Sequence, residues 1–290
     1  MAETKAANFI VPEVWADMAQ GVFRGAVRVA GSSAVKSDDT LAGQPGDTIN
    51  FPKWGTLGDL DELTEAVPMG TAVMGQSSSS ATIREAGKAV EITDKAMLTA
   101  LGDPRGEAQR QFGILAARKV DADLITQAQA DETSQGGGKP YAFATEAGAG
   151  FTWRDAIVPA LATFGDEFDP SEFSGLFINS AQMAQIFTDD QFINAATLGA
   201  STPVTTGQVG AVAGMPVIVT DRVAAGTFLL LKQSALGLLY KHRPVVETDR
   251  DILKRTTVIT TNVHYAVKRL DDRGVCVGSL TPASDGGGAE

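Results

Sequence analysis

Residues 103–131, DPRGEAQRQFGILAARKVDADLITQAQAD, constrain the chain more than any other stretch. Asp103 followed by Pro104 is a helix opening: a carboxylate accepts orphan N–H groups, and a proline at the first helical position has none to satisfy. Nothing from there to about Ala130 forbids helix, and a helix of that length reaches roughly 40 Å. Phe112, Ala116, Val120, Leu124 and Ala128 recur every four residues, with Ile114, Leu115 and Ile125 widening the stripe. Arg110, Arg118, Lys119, Asp121 and Asp123 take much of the remaining circumference. A four-residue repeat drifts around the helix axis, so its two ends face different neighbours. Gly106 and Gly113 each cost about 1 kcal/mol against alanine and mark a bend or a close contact near the start. The spacing predicts one long, half-exposed strut on which other layers rest.

With 290 residues and 43% hydrophobic content, the chain can bury a substantial core in one or two domains. Its net charge of −11 opposes sequence-independent nucleic-acid binding. The single cysteine, Cys276, cannot form an intrachain disulfide, which suits a reducing compartment. No apolar run approaches the length of a membrane span, and residues 1–7 are polar, so a soluble chain is expected.

Before the strut, residues 12–29 form an apolar helix candidate carrying Val14, Trp15, Met18, Val22 and Phe23. Residues 47–54 have strand composition, with Pro52 confining them to an edge. A tip over residues 55–80 follows, rich in Gly, Ser and Met, with four acids and no Lys or Arg. Residues 81–93 read as a second strand, in which Gly87 shifts the apolar alternation as a bulge would. Two strands joined by so long a polar connection make a poor self-contained hairpin, so this part reads as a protruding arm. After the strut, residues 150–240 alternate helix and strand. Thr152 and Asp155 suggest a capping box before a helix bent at Pro159, and Asn179-Ser180 caps another. Residues 215–220 and 227–231 are apolar runs suited to a sheet covered on both faces. In residues 241–280, Ile259, Val263, Tyr265 and Val267 alternate with polar residues along an unusually long strand. Residues 271–274 are read as a hairpin turn with 275–277 returning.

Catalytic signatures are missing. GGGK at 136–139 lacks the upstream glycine of a phosphate loop, and Pro140 stands where a magnesium-binding Ser or Thr belongs. His264 lies on the polar face of a strand, and Cys276 sits between two valines as a small core residue. The arm-tip acids lack EF-hand spacing. The expectation is no catalytic residue, no cofactor and no metal.

The order of these parts resembles the tailed-bacteriophage major capsid proteins of the Hong Kong 97 fold. The resemblance rests on VPEVWADMAQ (11–20), PGDTINFPKW (45–54), GKAVEITDKAML (87–98), LFINSAQMAQI (176–186) and GMPVIVTD (214–221), by order and spacing. It implies an α+β fold with an N-terminal arm (1–42), an extended β-hairpin loop (43–93) and a peripheral domain with its spine helix (94–140). An α/β axial domain (141–240), peripheral return strands (241–280) and a flexible tail (281–290) complete it. No further domain precedes the arm, so a scaffold is expected as a separate or removed part. No local match carries over the lysine–asparagine crosslink of the family's namesake.

The implied function is a structural one: hexamers and pentamers of an icosahedral shell enclosing double-stranded phage DNA. The implied location is the virion, after assembly in the host cytoplasm. Implied partners are further copies of the chain, a scaffolding protein, a portal and, where one is used, a cement protein, with no membrane. The arm would bury Phe51, Trp54, Val67 and Met69 on a neighbour. Its tip acids Asp59, Asp61, Glu62 and Glu65 would meet Arg105, Arg110, Arg118 and Lys119 of that neighbour's long helix. The alternatives are an encapsulin-like nanocompartment shell, a soluble α/β enzyme with a polar pocket in 150–240, and an adhesive or tail-tube protein.

Overall fold

The computed structural model describes residues 28–38, 46–54, 60, 62, 68–130, 140–146, 148–189 and 211–281. The long helix, α2, runs over Pro104–Gln129 as one unbroken element of 26 residues. Asp103 is its N-cap, with extended backbone and a side chain that accepts the Arg105 N–H at 3.0 Å. The helix continues through both of its glycines. Gly106 is instead a close contact, since a Cβ there would lie 2.7 Å from the Asp103 carboxylate. The apolar stripe is buried at Phe112, Val120, Leu124, Ile125 and Ala128, whereas Leu115 is exposed. Asp121 and Asp123, placed on the polar side by the sequence pattern, are buried.

The four-stranded sheet under α2 has the order β1-β10-β11-β4. Here β1 is Val35–Asp38, β4 is Arg84–Thr93, β10 is Leu236–Asp251 and β11 is Thr256–Arg269. Ile259, Val263, Tyr265 and Val267 are buried, as the alternation predicts. Val120, Leu124 and Ala128 share one core cluster with Val263, Tyr265 and Leu238. Thus a helix stripe and a strand face more than 130 residues apart in the chain bury each other.

Four local expectations are corrected. The second arm strand is two strands: β3 (Gln76–Thr82) pairs with β2 (Thr48–Trp54), and β4 pairs with β11, the change falling at Ile83. The four serines thus belong to a strand, because ladder bonding to β2 overrides their weak intrinsic strand preference. Gly87 is no bulge. The β4–β11 register is continuous through it, and a Cβ there would come within 2.7 Å of the Thr261 carbonyl oxygen. The helix expected over 12–29 does not include its last two residues, since 28–34 form bends and turns that bury Val29; residues 12–27 lie outside the described residues. Finally, residues 271–274 make no hairpin: β12 (Val275–Ser279) leaves for a second sheet. At the crossing, the Leu270 and Asp271 N–H groups donate to the Ala235 carbonyl, and the Asp271 carboxylate accepts the Arg273 N–H.

That second sheet has six strands in the order β5-β12-β9-β6-β8-β7. They are β5 (Tyr141–Ala144), β6 (Phe173–Ile178), β7 (Ala211–Val212), β8 (Met215–Val219), β9 (Thr227–Lys232) and β12. Every residue of β6 is buried, as expected of a strand covered on both faces. The short helix α4 (Ser180–Thr188) opens with a full capping box: Asn179 caps the helix, and its own N–H donates to Gln182 at 2.9 Å. Thr152 caps a π-helical turn over Trp153–Ile157, which leads into α3 (Val158–Ala162). After β5 the chain passes between the two sheets twice more, between Lys232 and Leu236 and between Arg269 and Val275. As a result, the stretch 241–280 is divided between them.

Candidate inter-subunit surface

The arm is a two-stranded ribbon, in register from Thr48 opposite Thr82 to Trp54 opposite Gln76. A two-stranded ribbon is marginal in water without further packing. Phe51 is half-buried, opposite Ser79, and Trp54 closes the outer end of β2. Beyond the ribbon, Leu60, Met69, Val73 and Met74 are all exposed, with Met69 at 71% and Val73 at 92%. Glu62 is exposed as well. Asp59, Asp61, Glu65 and Val67 lie outside the described residues. The ribbon thus ends in apolar side chains that their own subunit leaves in water, a feature that marks interaction surfaces.

The four basic residues singled out on α2 do not form one open patch. Arg110 forks onto Glu107 with two 2.8 Å hydrogen bonds, which hold the Glu107 carboxyl below its usual range. Lys119 reaches Asp123 at 2.8 Å. Arg105 donates to the Thr257 hydroxyl at 3.3 Å. Arg118 is half-buried, its carbonyl accepting from Arg222 at 3.2 Å, while its own Nε is buried with no partner. Within one subunit, then, Arg110 and Lys119 already answer acids of their own helix. The Arg110–Glu107 pair is exposed, and such pairs contribute little and exchange readily, whereas Lys119 is held by a buried carboxylate.

A second exposed apolar group escaped the sequence reading. Ile252 and Leu253, 79% and 96% exposed, cap the turn between β10 and β11. Leu98 and Leu101 are exposed where α1 (Asp94–Thr99) passes toward α2. The Asp94 N–H donates to the Arg255 carbonyl at 2.9 Å and its carboxylate meets Arg250 at 3.1 Å, so the two parts lie at one end of the sheet. The available signal was DILK, two large apolar residues in a turn where polar ones are usual.

The reactive side chains of the described residues have structural surroundings. Burial pushes the Cys276 thiol up to about 11, away from the thiolate needed for nucleophilic chemistry. His264 stacks edge-on with His242 at 5.9 Å and faces Glu85 at 3.6 Å. Among the described residues no three His, Cys, Asp or Glu side chains gather as metal ligands, and no helix is long and apolar enough to cross a membrane.

A family model described as phage capsid protein matches residues 76–278, from β3 to β12. The chain belongs to the phage capsid protein family. Within that family it is similar to the major capsid protein of Staphylococcus phage phiMR11, 32% identical over 271 residues that cover 93% of each chain. Among solved structures it resembles the cyanophage Pam1 capsid asymmetric unit, at 17% identity over 88% of this chain and 91% of that one, with a TM-score of 0.67. It also resembles the capsid of the empty GTA particle, at 12% identity over 94% and 95%, with a TM-score of 0.68. A structure of Mycobacterium phage Che8 matches at 14% identity over 93% and 97%, with a TM-score of 0.65. These likenesses show a mixed helix-and-sheet capsid fold. As a phage capsid protein, the chain is a structural component of the virion shell, and neither the nanocompartment nor the soluble-enzyme reading is favoured.

Proposed function

We propose that this chain is the major capsid protein of a tailed phage, built into hexamers and pentamers of an icosahedral shell that encloses double-stranded DNA. The observation that carries this reading is the similarity to the phiMR11 major capsid protein, which covers 93% of both chains. Exposed apolar side chains at the ribbon end and at the β10–β11 turn supply surfaces for such contacts. Many weak copies of one contact, repeated around closed rings, make a stable assembly. The net charge of −11 suits an inner wall that must not hold its DNA tightly.

In this reading the parts take Hong Kong 97 roles. Residues 1–42 are the N-terminal arm, 43–93 the extended loop, and 94–140 the spine helix and its surroundings. The six-stranded sheet, with β12 included, is the axial layer, and β10 and β11 complete the peripheral sheet. Phe51, Trp54, Val67 and Met69 bury against a neighbouring subunit. Asp59, Asp61, Glu62 and Glu65 exchange onto Arg105, Arg110, Arg118 and Lys119 of that neighbour. Assembly takes place in the host cytoplasm with a scaffolding protein and a portal, and with a cement protein where one is used. The chain itself carries out no reaction. Negative-stain microscopy with sedimentation of the purified chain tests the proposal: closed shells are expected, and a compact monomer persisting at high concentration overturns it.

A further inference from the structure

The chain contains two histidines in 290 residues, and the fold sets them opposite each other. His242 of β10 pairs with His264 of β11, with ring centres 5.9 Å apart and ring planes at 89°. The register of β10 against β11 shifts between Tyr240 and His242, and again between His242 and Val245. Irregularities of this kind re-aim a side chain at the expense of ladder bonds, and here one His–His pair is held between two of them. The neighbouring cations are turned to other partners: Lys241 donates to the Gly46 carbonyl, and Arg243 lies over the Tyr240 ring at 5.6 Å. A carboxylate faces the pair instead. Glu85 of β4 is the partner of His264 on its other side, and its Oε1 lies 3.6 Å from Nε2. His264 Nδ1 is buried and has no hydrogen-bond partner. A buried N–H without an acceptor is costly, so the proton belongs on Nε2, toward Glu85, and Nδ1 keeps a bare lone pair.

We infer that His264 Nδ1 and a ring nitrogen of His242 bind one divalent transition-metal ion, of the class of Zn²⁺, Ni²⁺ and Cu²⁺, with water completing its coordination. Imidazole suits these ions, and neutral histidine is their commonest protein ligand. An ion about 2.0–2.1 Å from one nitrogen of each ring sets the ring centres about 5–6 Å apart. The observed 5.9 Å agrees with that, and the exposed His242 ring can turn to reach the ion. A carboxylate behind a ligating imidazole fixes its tautomer and strengthens it as a donor, which makes Glu85 a positioning residue. Two protein ligands are one fewer than a catalytic zinc site has, so the ion is a clamp and not a reaction centre. It ties β10 to β11 where the arm leaves the body: the Ile83 N–H, two residues before Glu85, donates to the Asp47 carbonyl at 2.8 Å. The inference is independent of the shell reading, because every readout is taken on the free chain.

Calorimetric titration of nickel chloride, and separately of zinc chloride, into the full-length chain without an affinity tag tests this. One saturable ion per chain is expected. The bound ion should raise the thermal unfolding midpoint, since it binds the folded chain only, and EDTA should reverse the shift. His242 is exposed, so His242→Asn should melt like the wild type without metal, yet lose both the saturable binding and the metal-dependent shift. Glu85→Gln should weaken binding by about tenfold with its metal-free melt unchanged. No saturable binding, one ion shared by two chains, or a His242→Asn variant that binds as the wild type does overturns the inference.

Discussion

The Tyr265 hydroxyl donates to the Asp123 carboxylate at 2.6 Å, joining the middle of β11 to the helix that crosses it. Tyr265 is fully buried and Asp123 nearly so, while Lys119 and the more distant Arg84 sit on the other carboxylate oxygen. A buried acceptor left without its donor costs about 1–3 kcal/mol. Tyr265→Phe should therefore destabilise the subunit by about that much in urea unfolding. Asp123→Ala, which strands the hydroxyl and opens a gap together, should destabilise it more.

The same pair carries a pH dependence. Burial first, then the hydrogen bond to Asp123, hold the Tyr265 phenol well above its ordinary range. A group whose folded value is raised contributes stability that is fully present below its unfolded value, near pH 10, and is lost as pH rises beyond it. Alkaline titration of the free subunit should show stability falling above about pH 10, with a shallower fall in Tyr265→Phe.

Arg269 should be among the most sensitive positions in the chain. It is fully buried, and the last turn of α2 contains no basic residue of its own. From β11 its guanidinium caps the carbonyls of Ala128 and Ala130 and binds Asp272 at 2.6 Å. Arg269→Met leaves helix-end carbonyls unanswered and takes a fully buried cation away from Asp272, at about 3–5 kcal/mol. Arg269→Lys should recover only part of that, because one ammonium cannot reproduce the fork. Thermal unfolding of both variants checks the ranking.

The exposed apolar turn separates folding from assembly. Leu253 is 96% exposed, so Leu253→Asp should change subunit stability by less than about 0.5 kcal/mol. The yield of closed particles should nevertheless fall, as measured by sedimentation beside a urea melt of the same sample. An equal loss in both measurements would place Leu253 in the subunit's own packing.

Neutralising the arm tip probes a different contact. Asp59→Asn, Asp61→Asn, Glu62→Gln and Glu65→Gln together should weaken assembly at low salt and make its yield less sensitive to salt, because screening acts on exposed charges. An unchanged salt profile would remove the α2 cations as their partners.

Much of the local structure was legible before any coordinates. Asp103-Pro104 opens α2, Asn179 opens α4, and the alternation through Ile259, Val263 and Tyr265 gives the buried face of β11. Each follows from a few neighbouring residues and short-range rules of capping and periodicity. The two buried aspartates of α2 were not legible. Their burial is tolerable only because the backbone of Arg28 and Ala30 and the hydroxyl of Tyr265 arrive from distant parts of the chain to satisfy them. The apolar cluster at Ile252, Leu253, Leu98 and Leu101 was missed for a related reason, since its halves lie about 150 positions apart.

The sequence by itself determined where α2 and α4 begin and which strand faces are apolar, because those are properties of adjacent residues. Only the tertiary structure decided which sheet each strand joins. Val275–Ser279 satisfies the same apolar pattern beside β11 or between β5 and β9, and a strand pattern does not name its partner. The choice falls to long-range packing: with β12 between β5 and β9, Cys276 is buried against Phe228 and Leu230 of the six-stranded sheet's core.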